Sequence, residues 1–501
     1  MKRYWGLAFF GFVCLAAAAV WMGGLNQDEG WYLYAANMVS EGKMPYRDFQ
    51  YTQGPLMPII YSAFTWIWNG FGVLGARVFT LLLGVAALAF ATATAAKLAP
   101  EDRRKEAALI TFFLLGCNLY HLYYIAIPKT YALASLFVSL GFYLLARVEK
   151  LRDASRFTLA SSLVIGGLSL AFAAGTRISL GAILCVVGCK YLFRREWRKL
   201  ALFCIGGFFG LGVVYGPFLI DHAAFTGLMA AQKYHAARGG FDPVFTVGSL
   251  SRLVRWYLPV FIVLGLGLGF GRKSKSKGEV EQWSGLILLL SFLAVFVVQM
   301  LAPFPYEDYQ VPIMGLLAVF AAVTFLSSTS TDTSLSTSTS SLHLLLVFGL
   351  AYACAFGSPL LQEWTINRQD RFWSQKKQKS ELAQLREVAE TVEALDPGGK
   401  TLLTQDLYLA VETGRKVPEG LEMGPFSMLS DEQWKKLLSE CECEIAALSG
   451  YTFAIDPPRC DERPMDKQME YWNILRRRYE FVVREDDFGQ NATPLLILKR
   501  K

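Results

Sequence analysis

Two adjacent carboxylates, Asp28 and Glu29, follow directly on the first apolar run of the chain. Acids at membrane depth are costly and call for a reason. There, Asp28 is a candidate to accept a proton from an acceptor hydroxyl or to help hold a metal. The competing reading is a helix cap, because an Asp ahead of a helix satisfies free N–H groups; one residue can do both. The same loop carries Tyr46-Arg47-Asp48-Phe49 and Gly54-Pro55-Leu56, a composition rich in aromatics. Five other places bring cations or acids toward the same side. Lys129 ends the short loop from Leu119. Arg177 interrupts two apolar spans in Ala174-Gly175-Thr176-Arg177-Ile178, where the connection is too short to leave the interface. His235 and Arg238 lie about one helical turn apart, and Arg252 and Arg255 recur at helical spacing. Glu307, Asp308 and Tyr309 stand before a late span. Lys and Arg are disfavoured outside a membrane, so a concentration of them there points to an anionic ligand. We read Arg177, Lys129, Arg238 and Arg252 as phosphate-binding candidates, and Tyr46, Arg47, Asp48, His235 and Tyr309 as substrate-binding ones. A headgroup-binding or solvated face is the bland alternative for the His235 segment. For Arg177 it is an ion pair with an acid of the first loop. For Glu307 to Tyr309 it is an aromatic belt with a helix cap. Together the set suits a lipid-linked sugar phosphate: cations for the phosphate, aromatic faces for the sugar, an acid as base and apolar grooves for the tail.

The elements that position these residues are membrane spans. The chain has 501 residues, 53% of them hydrophobic and 18% charged, against about 25% charged in soluble domains. Apolar runs near the twenty residues needed to cross hydrocarbon occur at 4–22, 73–98, 107–122, 130–147, 158–175, 177–193, 200–220, 252–271, 283–302, 310–328 and 342–357. The reading is a polytopic α-helical membrane protein of about eleven transmembrane helices. With the N-terminus cytoplasmic, the basic clusters at Arg103, Arg147 to Arg156, Arg194 to Lys199 and Arg272 to Lys277 all fall on one side. These clusters also account for the net charge of +7, so nucleic acid is not expected as a partner. The outer loop 23–72 is expected to hold two interfacial helices, Trp31 to Val39 and Pro58 to Trp68. Residues 327–341 are almost wholly Ser and Thr and read as a flexible linker.

The module 1–357 is followed by a polar tail, 358–501, which eleven spans would place outside. Apolar runs at 401–404, 451–455, 481–483 and 495–498 among helix-like stretches predict a small α/β soluble domain with a core of its own. Cys460 has Cys441 and Cys443 as possible disulfide partners, and spacing does not choose between them. No metal-ligand spacing of Cys and His occurs in the chain.

The loop with Asp28-Glu29, followed by Tyr46-Arg47-Asp48-Phe49, Gly54-Pro55-Leu56, Gly72 and Arg77, resembles the GT-C glycosyltransferases. Within that class it is most similar to the family 39-type enzymes, which include protein O-mannosyltransferases and lipid A aminoarabinose transferases. Ala174-Gly175-Thr176-Arg177, Tyr234-His235-Ala236-Ala237-Arg238 and Tyr309-Gln310-Val311-Pro312 extend the likeness across most of residues 1–325. The resemblance implies an inverting transferase that moves a sugar from a polyprenyl-phosphate donor to a lipid, glycan or protein acceptor. It would work on the outer face of a bacterial inner membrane, with Asp28 nearest the reaction and Glu29 beside it. Many relatives carry a second acid near the Pro before the fourth span, where this chain has Lys129. The cofactor therefore stays open: a divalent metal is one alternative, and Lys129 in contact with phosphate is the other. The rival function is a lipid or amphipathic-solute transporter or flippase, which would share the spans and the outward cations; such proteins commonly carry repeated halves, and no repeat is seen here.

Overall fold

Apolar runs with few charges leave a backbone in lipid no partner but itself, and they form helices. The computed structural model describes residues 2–150, 155–237, 242–271, 279–329, 349, 379–449, 465–490 and 493–501. The helices run α1 (Lys2–Met22), α2 (Gln27–Ser40), α3 (Leu56–Ser62), α4 (Thr65–Leu98), α5 (Arg104–Gly116), α6 (Leu119–Ala126), α7 (Thr130–Lys150) and α8 (Arg156–Thr176). They continue with α9 (Gly181–Phe193), α10 (Trp197–Ile220), α11 (His222–Ala237), α12 (Pro243–Trp256), α13 (Leu258–Gly271), α14 (Glu279–Met300) and α15 (Val311–Thr329). Among the described residues, six helices are long and apolar enough to cross a membrane, or eight if each of two bent pairs is one span. The chain is thus a polytopic helical membrane protein.

The span count differs from the eleven expected for identifiable reasons. The run 107–122 bends by 71° between α5 and α6, and the run 252–271 by 79° between α12 and α13. At the first elbow Asn118 leaves helical geometry and its side chain caps α6 by accepting from His121 N. At the second, Pro259 sits in the first turn of α13, where its missing N–H costs nothing, and disfavours helical geometry just before it. The two elbows meet: Asn118 Nδ2 donates to Trp256 O at 3.0 Å, and His121 Nδ1 lies 3.0 Å from the Tyr257 hydroxyl. The runs 177–193 and 283–302 form shorter apolar helices. The run 342–357, Gly349 apart, lies outside the described residues, as does the Ser/Thr linker beyond Thr329.

In the tail come α16 (Glu381–Leu395), α17 (Leu407–Thr413), α18 (Asp431–Glu440), β1 (Ile445–Ser449), α19 (Met465–Arg478), β2 (Tyr479–Phe488) and β3 (Thr493–Arg500). The strands form one antiparallel sheet in the order β1-β3-β2. The expected strand at 401–404 makes only isolated bridges, Thr401 to Lys416 and Leu403 to Ala446. The one at 451–455 and the partner cysteine Cys460 lie outside the described residues; Cys441 and Cys443 are free thiols.

Apolar side chains sort into two cores. One fills the helical bundle between α1, α4, α5, α7, α13 and α15. The other runs unbroken from Trp31, Leu33 and Ala36 of α2 through Tyr51 and Tyr61 to Leu385, Leu407, Leu409, Ile445 and Ile497 of the tail. The tail therefore shares its core with the first outer loop. This also changes the reading of α2. It is not a helix lying half in an interface: Glu29 to Ala36 are all buried, because α17 covers the face that would otherwise meet water. The second expected interfacial helix divides into α3 and the first turns of α4, and there Ile59, Phe64, Trp66 and Phe71 are exposed. Gly72, at φ +63°, separates those turns from the rest of α4, a backbone region that side chains with a Cβ rarely enter.

Candidate active site

The site is built on the first turn of α2. Asn26 is the cap: its side chain accepts from Asp28 N at 3.0 Å, and Glu29 Oε1 accepts from Asn26 N at 2.8 Å, completing a capping box. The cap expected of Asp28 thus belongs to Asn26, and the Asp28 carboxylate has no capping duty. It accepts from Trp31 Nε1 at 3.2 Å and pairs with Lys129 at 2.7 Å.

Glu29 faces the other way. Both of its oxygens are taken by Arg77, at 2.6 and 2.9 Å, and both side chains are wholly buried. Arg77 also donates to the carbonyls of Val20, Gly23 and Gly24 at 3.1, 2.8 and 2.8 Å. Glu29 is therefore a strut that fixes the turn, and the structure does not bring it to the cations expected to meet a substrate.

Lys129 lies in the turn between α6 and α7. Its ammonium stands between two carboxylates, Asp28 at 2.7 Å and Asp308 at 3.0 Å, and against the rings of Tyr124 and Tyr131. Asp308 also accepts from the Tyr131 hydroxyl at 2.8 Å. A divalent metal bridging these two acids does not fit while the ammonium occupies the space between them. Among the described residues no group of three His, Cys, Asp or Glu side chains converges as a metal site. Burial works to raise the Asp28 carboxyl, but the Lys129 charge and hydrogen bond, with Trp31 and Arg177, outweigh it and hold the group below its usual value.

Arg177 occupies the break between α8 and the turn Ile178–Leu180. It is sandwiched between the rings of Tyr131 and Tyr309, 5.0 and 4.8 Å from their centroids, and donates to Thr130 Oγ1 at 3.1 Å. Its Nε has no hydrogen-bond partner. Arg177 and Tyr309 line a polar chamber of about 630 Å³ with Thr52, Gln53, Gln232 and Gln299. Beside it, an apolar groove of about 570 Å³ runs between α9, α10 and α11 past Leu184, Phe208 and Leu219. Ile178 and Gln232 belong to both walls.

The other expected residues are placed apart. Tyr46 is buried against Tyr51 and Phe218, and its hydroxyl donates to Gln53 O. Arg47 pairs on the surface with Asp48 and Asp221, and Arg252 pairs with Glu307 at 2.9 Å. His235 belongs to α11 but its side chain is not among those described, and Arg238 lies outside the described residues. Sequence reasoning passed over Asp308 for its neighbours Glu307 and Tyr309. In the 3-10 turn from Glu307 to Gln310 the buried positions are Asp308 and Gln310, and residue types alone do not tell which of two adjacent acids faces inward.

No family model and no curated relative matches the chain. Solved structures do. ArnT from Cupriavidus metallidurans in the apo state superposes with a TM-score of 0.62 at 15% identity, over 99% of this chain and 98% of that one. The same protein bound to undecaprenyl phosphate gives 0.63 at 14%, over 99% and 97%. The Archaeoglobus fulgidus oligosaccharyltransferase tethered with an acceptor peptide containing the NVT sequon gives 0.54 at 11%, over 100% of this chain and 74% of that one. The fold is GT-C-like. At such identities the likeness speaks for the fold alone.

Proposed function

We propose that the protein transfers a sugar from a polyprenyl-phosphate donor to a hydroxyl-bearing envelope acceptor on the non-cytoplasmic face of the membrane. The observation that carries this reading is the adjacency of two spaces. A polar chamber that presents the Arg177 guanidinium opens beside an apolar groove, and the two share Ile178 and Gln232. A ligand with a charged phosphate and a long hydrocarbon tail has both needs met at one junction, and Arg is the side chain best shaped to hold phosphate. Of the solved structures with this fold, one holds undecaprenyl phosphate and another an acceptor peptide.

In this reading the acceptor oxygen attacks the anomeric carbon as the bond from that carbon to the phosphate oxygen breaks. The polyprenyl phosphate leaves with the bonding pair, and the acceptor proton passes to Asp28. Attack opposite the leaving group inverts the anomeric centre. Asp28 suits the task because its side chain remains 27% exposed while the Lys129 side chain beside it is 6% exposed. Arg177 and Lys129 would stabilise the charge that develops on the departing phosphate. Asp308 would hold Lys129 in place. The tail and the active site would then both lie outside the cytoplasm.

The test is a transfer assay in lipid with labelled polyprenyl-phosphate sugars and envelope acceptors, wild type beside Asp28→Asn. A loss of about a hundredfold, the scale of a general base, is expected. Transfer that is equal in both proteins would sink the assignment of Asp28. Movement of lipid across the bilayer without sugar transfer would favour the transporter.

A further inference from the structure

The polar tail makes a set of contacts that substrate binding alone does not account for. Asp28 stands in the first turn of α2, and the turn before it, Gly24 to Gln27, is irregular backbone whose polar groups need partners. The membrane part supplies some of them: Arg77 takes the carbonyls of Gly23 and Gly24, and the capping box takes the amides of Asn26 and Asp28. The two amides in alternation with these are taken by the tail. Leu25 N donates to Glu381 Oε2 at 2.5 Å, and Gln27 N donates to Gln490 Oε1 at 2.7 Å. The Gln27 side chain donates to Asp406 Oδ1 at 2.7 Å, and the Tyr408 hydroxyl holds the same oxygen at 2.8 Å.

The backbones themselves are in contact. A Cβ on Gly30 would stand 2.3 Å from Tyr408 N, so α2 lies directly on α17 two residues beyond Asp28. Farther along the loop, Val73 N, just past the break at Gly72, donates to Glu412 Oε2 at 2.7 Å. Each of these tail groups is more than 300 residues from its partner. Glu381, Gln490 and Asp406 converge on the turn that aims one carboxylate, and Glu412 ties the break in α4 to the same tail.

We propose that the tail is a positioning clamp for Asp28, with Glu381 and Gln490 as the residues that complete the turn. The inference rests on the reading of Asp28 as the base. A carboxylate displaced by about 1 Å loses about a hundredfold in rate, so a turn half of whose amides are closed by another part of the chain ties the reaction to the docking of that part. Glu381, Gln490 and Asp406 act through the turn and are not placed against substrate.

The experiment uses the full chain in lipid. Glu381→Ala and Gln490→Ala are each expected to lower kcat about tenfold or more while KM for the donor stays within about twofold. Glu381→Gln keeps an acceptor oxygen for Leu25 N and is expected to recover most of the loss. Hydrogen exchange read on the same proteins should show faster exchange at residues 25–30 with β1 unchanged. Unchanged exchange at 25–30 would overturn the clamp, and so would a rise in KM with kcat intact, which would make the tail a substrate-binding element. Should Glu381→Ala not fold, Gln490→Ala, at the turn after β2, carries the same measurements. If Asp28→Asn leaves transfer intact, the reading of the base has failed, while the exchange experiment still judges the clamp by itself.

Discussion

Asp28 and Lys129 form an ion pair at 2.7 Å in which the acid is reachable from outside and the cation is not. A base in such a pair is ionised at neutral pH, with its carboxyl held below the ordinary value of about 3.9. As pH falls, the active form persists until that depressed value is reached. Transfer by the wild type is therefore expected to show no acid limb from Asp28 down to about pH 4. Lys129→Met removes the largest lowering influence and leaves only Trp31 and Arg177 against burial, so the limb moves to higher pH. A pH–rate profile of both proteins checks this, and a limb at the same place in each would contradict it.

The same ammonium fills the gap between Asp28 and Asp308. Transfer is expected to survive prolonged treatment with a chelator, within about twofold. A loss of tenfold or more that added magnesium or manganese restores would show that a dication displaces Lys129 in the working enzyme.

Arg177 offers an unpartnered Nε beside the chamber. A charged hydrogen bond is worth about 1.5–3 kcal/mol, which is about 10- to 100-fold in affinity. Arg177→Lys keeps the charge but loses the planar fork, and is expected to raise the donor KM by about that factor. Titration of the purified variant with the polyprenyl phosphate alone separates binding from chemistry. Unchanged affinity would move the phosphate elsewhere.

The buried pair of Arg77 and Glu29 should matter for folding before it matters for rate. Removing one member of a buried pair costs about 3–5 kcal/mol because the other is left uncompensated. Arg77→Met is expected to lower the Tm in detergent by several degrees, and adding Glu29→Gln should recover part of that. A single variant as stable as the wild type would show that the pair is not the strut described here.

Asp406 is held above its ordinary value by burial, against hydrogen bonds from Gln27, Tyr408 and Ser449. A carboxyl raised in the folded state contributes its full stability below the unfolded value of about 3.9 and loses it as pH rises through the folded value. Relative to Asp406→Asn, the wild type should therefore lose stability as pH rises from about 4 toward neutrality. Melting curves of both proteins over that range give the difference, and a flat difference would remove the charge at Asp406 from the account.

Much of the membrane part was legible because hydropathy over twenty residues is a local signal: the long spans of α1, α4, α7, α8, α10 and α15 stand where apolar runs place them. The elbows at Asn118 and Tyr257 were not, since a window that averages hydropathy cannot see one residue leaving helical geometry. Asp28, Lys129, Arg177 and Tyr309 were singled out by charge at membrane boundaries, and the structure brings them into one neighbourhood. Glu29 shows the limit of that reasoning. An acid in the same loop satisfies the same rule, and only the direction of its side chain on α2 decides that it meets Arg77. The burial of α2 was equally invisible, because its cover is the tail, hundreds of residues away.

The two elbows hold each other: the side-chain amide of Asn118 occupies the carbonyl of Trp256, and His121 meets the Tyr257 hydroxyl. Straightening either bend would break these two hydrogen bonds to the other. Straight spans answer a thicker or thinner bilayer by tilting, but a pair of locked bends has no such freedom. The short helix α6 is thereby pinned at a fixed depth, and Lys129, three residues past its end, is pinned with it. The cation paired with Asp28 would then keep its height relative to the protein while the lipid around it changes, and the proposed transfer would tolerate changes in membrane composition that shift the other helices.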